Sequence, residues 1–390
     1  MSTIPYGRQD INQADIDAVV EVLRSDFLTQ GPAVPAFEAA VAQYCRAQHA
    51  VAVNSATSAL HIACLALGVG KGDSVWTSPI TFVASANCAL YCGATVDFVD
   101  IDPRTYNMSL RRLAEKLIEA EKAGKLPKVV IPVHMCGQSC DMAGIHELSL
   151  QYGFKIIEDA SHAIGGKYKD EHIGNCHYSA ITVFSFHPVK IITTGEGGMA
   201  LTNDAALART MRLLRSHGIS STAADMQPRP AQEIWNYQQI DLGFNYRMTD
   251  IQAALGLSQM QRLDDFVEKR RCIAHHYDHE LAALPLETPW QHPDSDCAYH
   301  LYPIRIKQNE GGVAQGQVYA AMHAAGINAN LHYIPVYRQP YYAAKGFKVG
   351  YCPESENYYT ETISLPMYPG MTDAQQEHVI TSLKTILLSE

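Results

Sequence analysis

AVAVNSATSALHIACLAL, residues 50–67, sets a strand, a turn and a helix in one short run, and its reading decides the fold. AVAV (50–53) has no polar residue to turn toward water, so it reads as a strand covered on both faces. Asn54 and Ser55 break the run, and ATSALHIACLAL (56–67) reads as a helix. The same alternation continues along the chain. SVWT (74–77), TVDFVD (95–100), VVIPVH (129–134), FKIIED (154–159) and AITVFSF (180–186) are short β-rich runs. Helical stretches near 82–91, 109–122 and 142–152 lie between them. Strands alternating with helices imply parallel pairing through right-handed crossovers, a mostly parallel sheet with helices on both sides.

After residue 202 the pattern changes. DAALARTMRLLRSHG (204–218) reads as a helix closed by Gly218, and a polar stretch with Pro228 and Pro230 reads as a surface loop. A long helix is expected from an N-cap at Thr249 through to Leu281. HLYPIRI (300–306), a helix near 314–325, INANLHY (327–333) and a final helix from about 372 predict a smaller α/β domain. The boundary is placed inside the long helix, with a large domain over 1–255, its N-terminal arm over 1–30, and a small domain over 256–390.

The chain has 390 residues, enough for two such cores. Its net charge of −10 leaves no basic surplus to neutralise phosphates, which argues against nucleic acid and anionic membrane as partners. No apolar run reaches the ~18 residues of a membrane helix. The polar N-terminus has no signal-type stretch, so a cytoplasmic location is expected. The ten cysteines form no framework and read as free thiols. No metal site is expected: the Cys136/Cys140 spacing in CGQSC has no companion pair, and HHYDH (275–279) reads as a solvated helix face. GVGKGD (68–73) lacks the hydroxyl residue that a phosphate loop requires after its lysine.

Four stretches carry candidate chemistry. In FSFHPVKIITTGEGG (184–198), Lys190 is bracketed by Pro188, Val189, Ile191 and Ile192. A lysine hidden among apolar residues loses charge stabilisation and offers a free amine as nucleophile or base. A lysine with a packed stem and a wet head fits the same stretch. Asp159 ends an apolar strand, where open α/β sheets bind their ligands, and a carboxylate there can pair with a pyridinium nitrogen or simply cap a helix. His162 follows three residues later. In NSATSAL (54–60) a helix opens on Ala56, Thr57 and Ser58, suiting a phosphate or plain N-capping. Phe82, just past a strand, can stack on a planar ring or pack in the core. The GEGG turn can pass close to the lysine without a Cβ clash. The tyrosines 333, 337, 341 and 342 can line a ligand pocket or anchor a loop. An amine, a carboxylate, a phosphate cradle and an aromatic plate at one sheet edge are the parts that pyridoxal phosphate needs.

FSFHPVKIITTGEGG, EDASHA, NSATSAL, SPITFVASAN and GFNYRMTDIQAALG together resemble the DegT/StrS-type sugar aminotransferases, pyridoxal-phosphate enzymes of fold type I. The resemblance runs from about Ile4 to the last helix. IPYGRQDI, SDFLTQGP and LHYIPVYRQPYY resemble the pseudaminic-acid branch of that family, which aminates a UDP-linked 4-keto sugar at C4. The resemblance implies that Lys190 carries the cofactor covalently and later moves the substrate proton. It implies that Asp159 pairs with the pyridine nitrogen and that Phe82 and His162 lie about the ring. Ala56, Thr57 and Ser185 are implied at the phosphate, joined by Asn245 from a neighbouring subunit in a homodimer with shared active sites. Tyr6, Asp26, Phe27, Leu28, Thr29, Asn330, Leu331, His332 and Tyr333 match segments around the sugar nucleotide. L-glutamate is the implied amino donor, although no arginine for its carboxylate stands out. His162 stands where much of the family has glutamine, Ile191 where this branch often has proline, and Tyr337 where histidine is frequent. A dehydratase subgroup has histidine at the lysine position, so Lys190 favours transamination. A cofactor-binding regulator without turnover and an enzyme for another nucleotide-linked keto sugar are the alternatives.

Overall fold

The computed structural model describes residues 3–307 and 313–388. Its centre is a seven-stranded sheet of β1 (His49–Val53), β2 (Ser74–Thr77), β3 (Thr95–Phe98), β4 (Val129–Ile131), β5 (Lys155–Asp159), β6 (Ile181–Ser185) and β7 (Gly198–Thr202). The strand order is β1-β7-β6-β5-β4-β2-β3. The pairs from β3 through β6 are parallel, and β7 runs antiparallel to both β6 and β1. The mostly parallel α/β sheet follows the sequence expectation. The run VVIPVH forms a regular ladder only as far as Ile131, because Pro132 has no N–H to give; pairing resumes as a single bridge from Val133 to Asp159. The strand GMALT is new: a glycine-led run of five after a turn gives little periodic signal.

Two helices precede the sheet, α1 (Gln13–Arg24) and α2 (Ala33–Cys45); α3 (Ala56–Ala66), α4 (Ala84–Tyr91), α5 (Leu110–Lys122) and α6 (Met142–Tyr152) are the crossovers, and α7 (Ala205–Arg215) follows β7. Alternation along β1 shows how both faces are covered. Val51 and Val53 pack with α3, α4 and α7, whereas Ala50 and Ala52 pack with Phe37 and Val41 of α2. Each such fully buried valine contributes roughly 1.5–3 kcal/mol.

The expected continuous helix from Thr249 is two helices, α8 (Asp250–Met260) and α9 (Leu263–Leu281). Thr249 is the N-cap as expected, closing a capping box with Gln252. The break has a visible cause. Arg262 leaves the helical region (φ −116°, ψ 8°), and its guanidinium reaches Asp10 and Asp15, each at 2.6 Å. Asp15 is wholly buried and also accepts from Ser258 and Gln259, so the N-terminal arm is clamped onto α8. Beyond the break, α9 packs with an antiparallel three-stranded sheet (Leu286–Glu287, Tyr302–Ile306, Thr362–Leu365) and helices Gln315–Ala324 and Asp373–Leu388 around a second core that includes Ile4. INANLHY forms single bridges rather than a strand, Ile4 to Ile327 and Asn330 to Ser364.

One buried polar cluster braces the sheet beside Asp159. Nε2 of His134 lies 2.7 Å from Glu158 and Nδ1 faces the Cys140 N–H; burial lowers the imidazole's pKa, but its contacts with Cys140 and Glu158 raise it to about 10. Burial pushes the Glu158 carboxyl up, and the bonds from His134, Ser179 and Thr182 more than reverse this, holding it below the usual range. His134→Ala leaves a buried acid short of a donor and should destabilise the protein by ~3 kcal/mol. A urea unfolding midpoint at the wild-type value would contradict that.

All ten cysteines are free. Among the described residues no helix is long and apolar enough to cross a membrane, and no cluster of His, Cys, Asp or Glu is arranged to hold a metal.

Candidate active site

The carboxyl ends of β1, β4, β5 and β6 open onto a cavity of about 860 Å³. A larger groove of about 1190 Å³ runs beside the edge strand β3, and it contains none of the predicted site residues.

At the end of β1 the chain turns into α3. The Ser55 hydroxyl caps the helix by accepting from the Ser58 N–H (3.1 Å). Ala56 and Thr57 fall in the first turn, where backbone N–H groups have no helical acceptor and face the cavity. Ser55 is the cap, and the N–H groups of Ala56 and Thr57 in this turn are left without a helical acceptor. Gly198 of β7 runs directly beneath it. A Cβ there would lie 2.4 Å from the Ala56 nitrogen, so only glycine lets strand and helix start approach. Ser185, at the end of β6, lines the same wall.

Asp159 ends β5 and is 4% exposed. Its Oδ1 accepts from Ser161 Oγ at 2.6 Å, and its Oδ2 from Ser85 Oγ at 2.6 Å. Phe82, one turn before Ser85, lines the cavity with 60% of its surface exposed.

Lys190 sits in the turn after β6. That turn is pinned by its own threonines: Thr193 Oγ1 donates to the Phe186 carbonyl and accepts from the Gly195 N–H. Ile191 and Ile192 are the buried residues of the run, whereas Lys190 is half-buried on the cavity wall. It is therefore not hidden in the core as its flanks suggested. The apolar surroundings still pull its ammonium down to about 8, with Asp159 opposing the shift.

Three histidines ring the amine. His162 accepts from the Cys136 N–H at Nδ1 (3.3 Å), so Nε2 carries the proton, 3.4 Å from the Tyr333 hydroxyl. Burial, Lys190 and His332 hold His162 neutral. His300 lies with its ring 4.4 Å from that of His162, and burial also drives its pKa far down. His332 is lowered to about 3 by burial and by Lys190. A floor of neutral imidazoles leaves the lysine amine free to deprotonate.

The structure thus gathers Tyr6, Ala56, Thr57, Phe82, Asp159, His162, Ser185, Lys190, Asn330, Leu331, His332 and Tyr333 around one cavity. It does not bring Asp26, Phe27, Leu28, Thr29 or Asn245 to that cavity. Phe27 lines a crevice between α1 and α8, and Asn245 is exposed with its carbonyl near Asn54 Nδ2. The tyrosine run divides: Tyr333 lines the cavity, Tyr337 and Tyr342 are core, and Tyr341 is exposed. For Tyr337 and Tyr342 the anchoring reading is correct, since their hydroxyls bond Glu356 and Asn87. Sequence reasoning missed His187 and His300 on the cavity wall and the serines that hold Asp159. Ser161 was findable in EDASHA; His300 was not, because a distant segment delivers it.

An amine, a carboxylate at a strand end, an open helix start and a flat aromatic face converge here, which fits pyridoxal phosphate in its aldehyde, ring-nitrogen and phosphate parts. The comparisons agree. The model of the DegT/DnrJ/EryC1/StrS aminotransferase family matches residues 9–384. The chain is 39% identical over 387 residues to the spore coat polysaccharide biosynthesis protein SpsC of Bacillus subtilis, covering 98% of this chain and 97% of that one. It superposes on PseC of Helicobacter pylori, an aminotransferase involved in the biosynthesis of pseudoaminic acid, with a TM-score of 0.89, 30% identity and full coverage of both chains. The putative sugar aminotransferase Spr1654 of Streptococcus pneumoniae, in its pyridoxamine-phosphate (PMP) form, gives 0.89 at 29% identity over 98% of each chain. With the fold, the cavity and these relatives in agreement, the chain belongs to the DegT/DnrJ/EryC1/StrS family and is a pyridoxal-phosphate-dependent sugar aminotransferase.

Proposed function

We propose that the enzyme moves an amino group from L-glutamate to C4 of a UDP-linked 4-keto-6-deoxy-N-acetylhexosamine. The observation that carries amine transfer is Lys190, an amine with a lowered pKa facing Asp159 across one cavity. The likeness to PseC over the whole chain, with Tyr6 and Asn330–Tyr333 at the cavity, supports the sugar assignment.

Each residue then has a task. Lys190 would hold the cofactor through its Nζ, and the same amine, when free, would take up and return the proton at the donor's α-carbon. Asp159 would keep the ring nitrogen protonated, and the cofactor, when bound, would supply an electron sink for the carbon that loses its proton. Ala56, Thr57 and Ser185 would bind its phosphate, and Phe82 and His162 would flank its ring. Phe184, Phe186 and the two isoleucines keep water from below.

The active site is completed in a homodimer. Phe82, Tyr91, Ile234, Trp235 and Leu242 are between 54% and 80% exposed, large apolar side chains that a partner subunit would cover. Tyr91 meets the segment that holds Asn245 through His61 and Phe244. In this arrangement Asn245 reaches the partner's phosphate, and Asp26, Phe27, Leu28 and Thr29 border the partner's sugar pocket. The chain divides into domains 1–255 and 256–390, and the enzyme works in the cytoplasm.

The amine's lowered pKa predicts a pH profile. The neutral fraction of Lys190 rises through about 8, so covalent capture of pyridoxal phosphate by the apoprotein should rise with the same midpoint. At pH 7.5 roughly one amine in four is neutral, against about one in a thousand for an ordinary lysine. A capture midpoint near the ordinary lysine value would contradict the reading. The function itself is tested by supplying glutamate and the UDP-linked 4-keto sugar. Stoichiometric 2-oxoglutarate and a 4-amino sugar are expected; 2-oxoglutarate release unaffected by the keto sugar would overturn the assignment.

A further inference from the structure

We propose that Thr81 and Ser85 form a two-hydroxyl relay that positions Asp159 for the cofactor's ring nitrogen. This rests on the reading of Asp159 given above. The geometry is specific. Ser85 Oγ lies 2.6 Å from Asp159 Oδ2, and Thr81 Oγ1 lies 2.7 Å from Ser85 Oγ. A hydroxyl has one hydrogen. The Phe82 carbonyl is a competing acceptor for it at 3.3 Å, but the shorter bond to a carboxylate is the stronger. Ser85 therefore gives its hydrogen to Asp159, and Thr81 must give its own to Ser85. The direction of the relay follows without any hydrogen being seen.

Its placement is equally telling. Thr81, Ser85 and Asp159 are 3%, 0% and 4% exposed, so no water competes for these bonds. Thr81 and Asp159 both line the cavity, while Ser85 lies behind them and joins them. The two hydroxyls sit one helical turn apart, on either side of Phe82, at the entry to α4. On the other oxygen, Ser161 donates through both Oγ (2.6 Å) and backbone N–H (3.2 Å). The carboxylate is thus gripped at both oxygens, from its own loop and from the segment that holds the aromatic plate. Its plane is fixed, and the remaining lone pairs are left for a donor in the cavity. The relay also couples the plate to the acid: a shift of Phe82 moves both hydroxyls. Ser85 and Thr81 are positioning residues, since Ser85 touches no ligand and both act through Asp159.

The test uses full-length protein reconstituted with pyridoxal phosphate labelled with ¹⁵N in the ring. The readouts are the cofactor dissociation constant of the apoprotein and the ¹⁵N shift, which reports the ring proton directly. Ser85→Ala should weaken cofactor binding roughly ten-fold, the loss of one charge-assisted hydrogen bond. It should also move the ¹⁵N shift toward the unprotonated value at high pH. Thr81→Val should do the same more weakly. In the Asp159→Asn background, Ser85→Ala should add nothing further. If Asp159→Asn changes the ¹⁵N shift and Ser85→Ala changes neither readout, the relay is refuted while the role of Asp159 stands. If Asp159→Asn itself leaves the shift unchanged, the underlying reading fails instead. Unfolding midpoints within error of wild type separate positioning from a damaged fold; a Ser85→Ala variant whose weaker binding is matched by a lowered unfolding midpoint, with the ¹⁵N shift unmoved, would overturn the relay.

Discussion

Lys190→Ala should fold like the wild type and lose turnover by at least about 10⁴-fold. The packing of its turn does not depend on the lysine. Ile191 and Ile192 fill the core, and Thr193 and Thr194 hold the backbone through the Phe186 and Glu196 carbonyls. Removing a half-buried amine whose pKa is pulled down to about 8 relieves a solvation penalty, so stability should stay level or rise slightly. Catalysis has no such reserve. Three buried basic side chains of the cavity, His162, His300 and His332, have pKa values driven down by burial. His162 has its Nδ1 committed to the Cys136 N–H, which limits it as a proton carrier. Steady-state assays with matched unfolding curves decide the matter. A folded variant retaining a tenth of wild-type activity would show that Lys190 is not the group that carries the reaction.

Asp159→Asn should cost roughly 10²–10³-fold in the glutamate half-reaction, comparable to losing one preorganised electrostatic contact in a dry site. The substitution keeps the shape of the side chain and its place at the end of β5. It removes the charge that favours a protonated ring nitrogen, and an amide presents a donor where an acceptor is required. The hydroxyls of Ser85 and Ser161 still have one carbonyl oxygen to share, so the fold should survive. Single-turnover absorbance with glutamate reads the step directly. A rate within a few-fold of wild type would place the ring nitrogen elsewhere.

Much of the scaffold was legible because strands buried on both faces leave an unbroken apolar signature, as AVAV and AITVFSF do. Lys190 and Asp159 were legible for a related reason: a charged residue at the end of such a run has to be accounted for. Other features were hidden by physics that acts at long range. The antiparallel strand Gly198–Thr202 depends on a glycine whose importance is its 2.4 Å clearance from a helix start more than 140 positions earlier in the chain. The break between α8 and α9 is caused by Arg262 reaching acids in the N-terminal arm, which no local propensity contains. His300 joins the cavity because the loop before the strand Tyr302–Ile306 hydrogen-bonds to Cys136. Tyr337 and Tyr342 resembled pocket residues in sequence, and their burial against Phe98 became visible only in the folded chain.

The central claim is that one ε-amine, on Lys190, forms the covalent link to pyridoxal phosphate. Borohydride reduction of the cofactor-loaded protein, followed by peptide mapping, tests it most directly. A single phosphopyridoxyl group on the peptide containing residue 190, absent when glutamate is added before the reductant, is the predicted result. An unmodified Lys190, or a label that settles on another lysine, would contradict it.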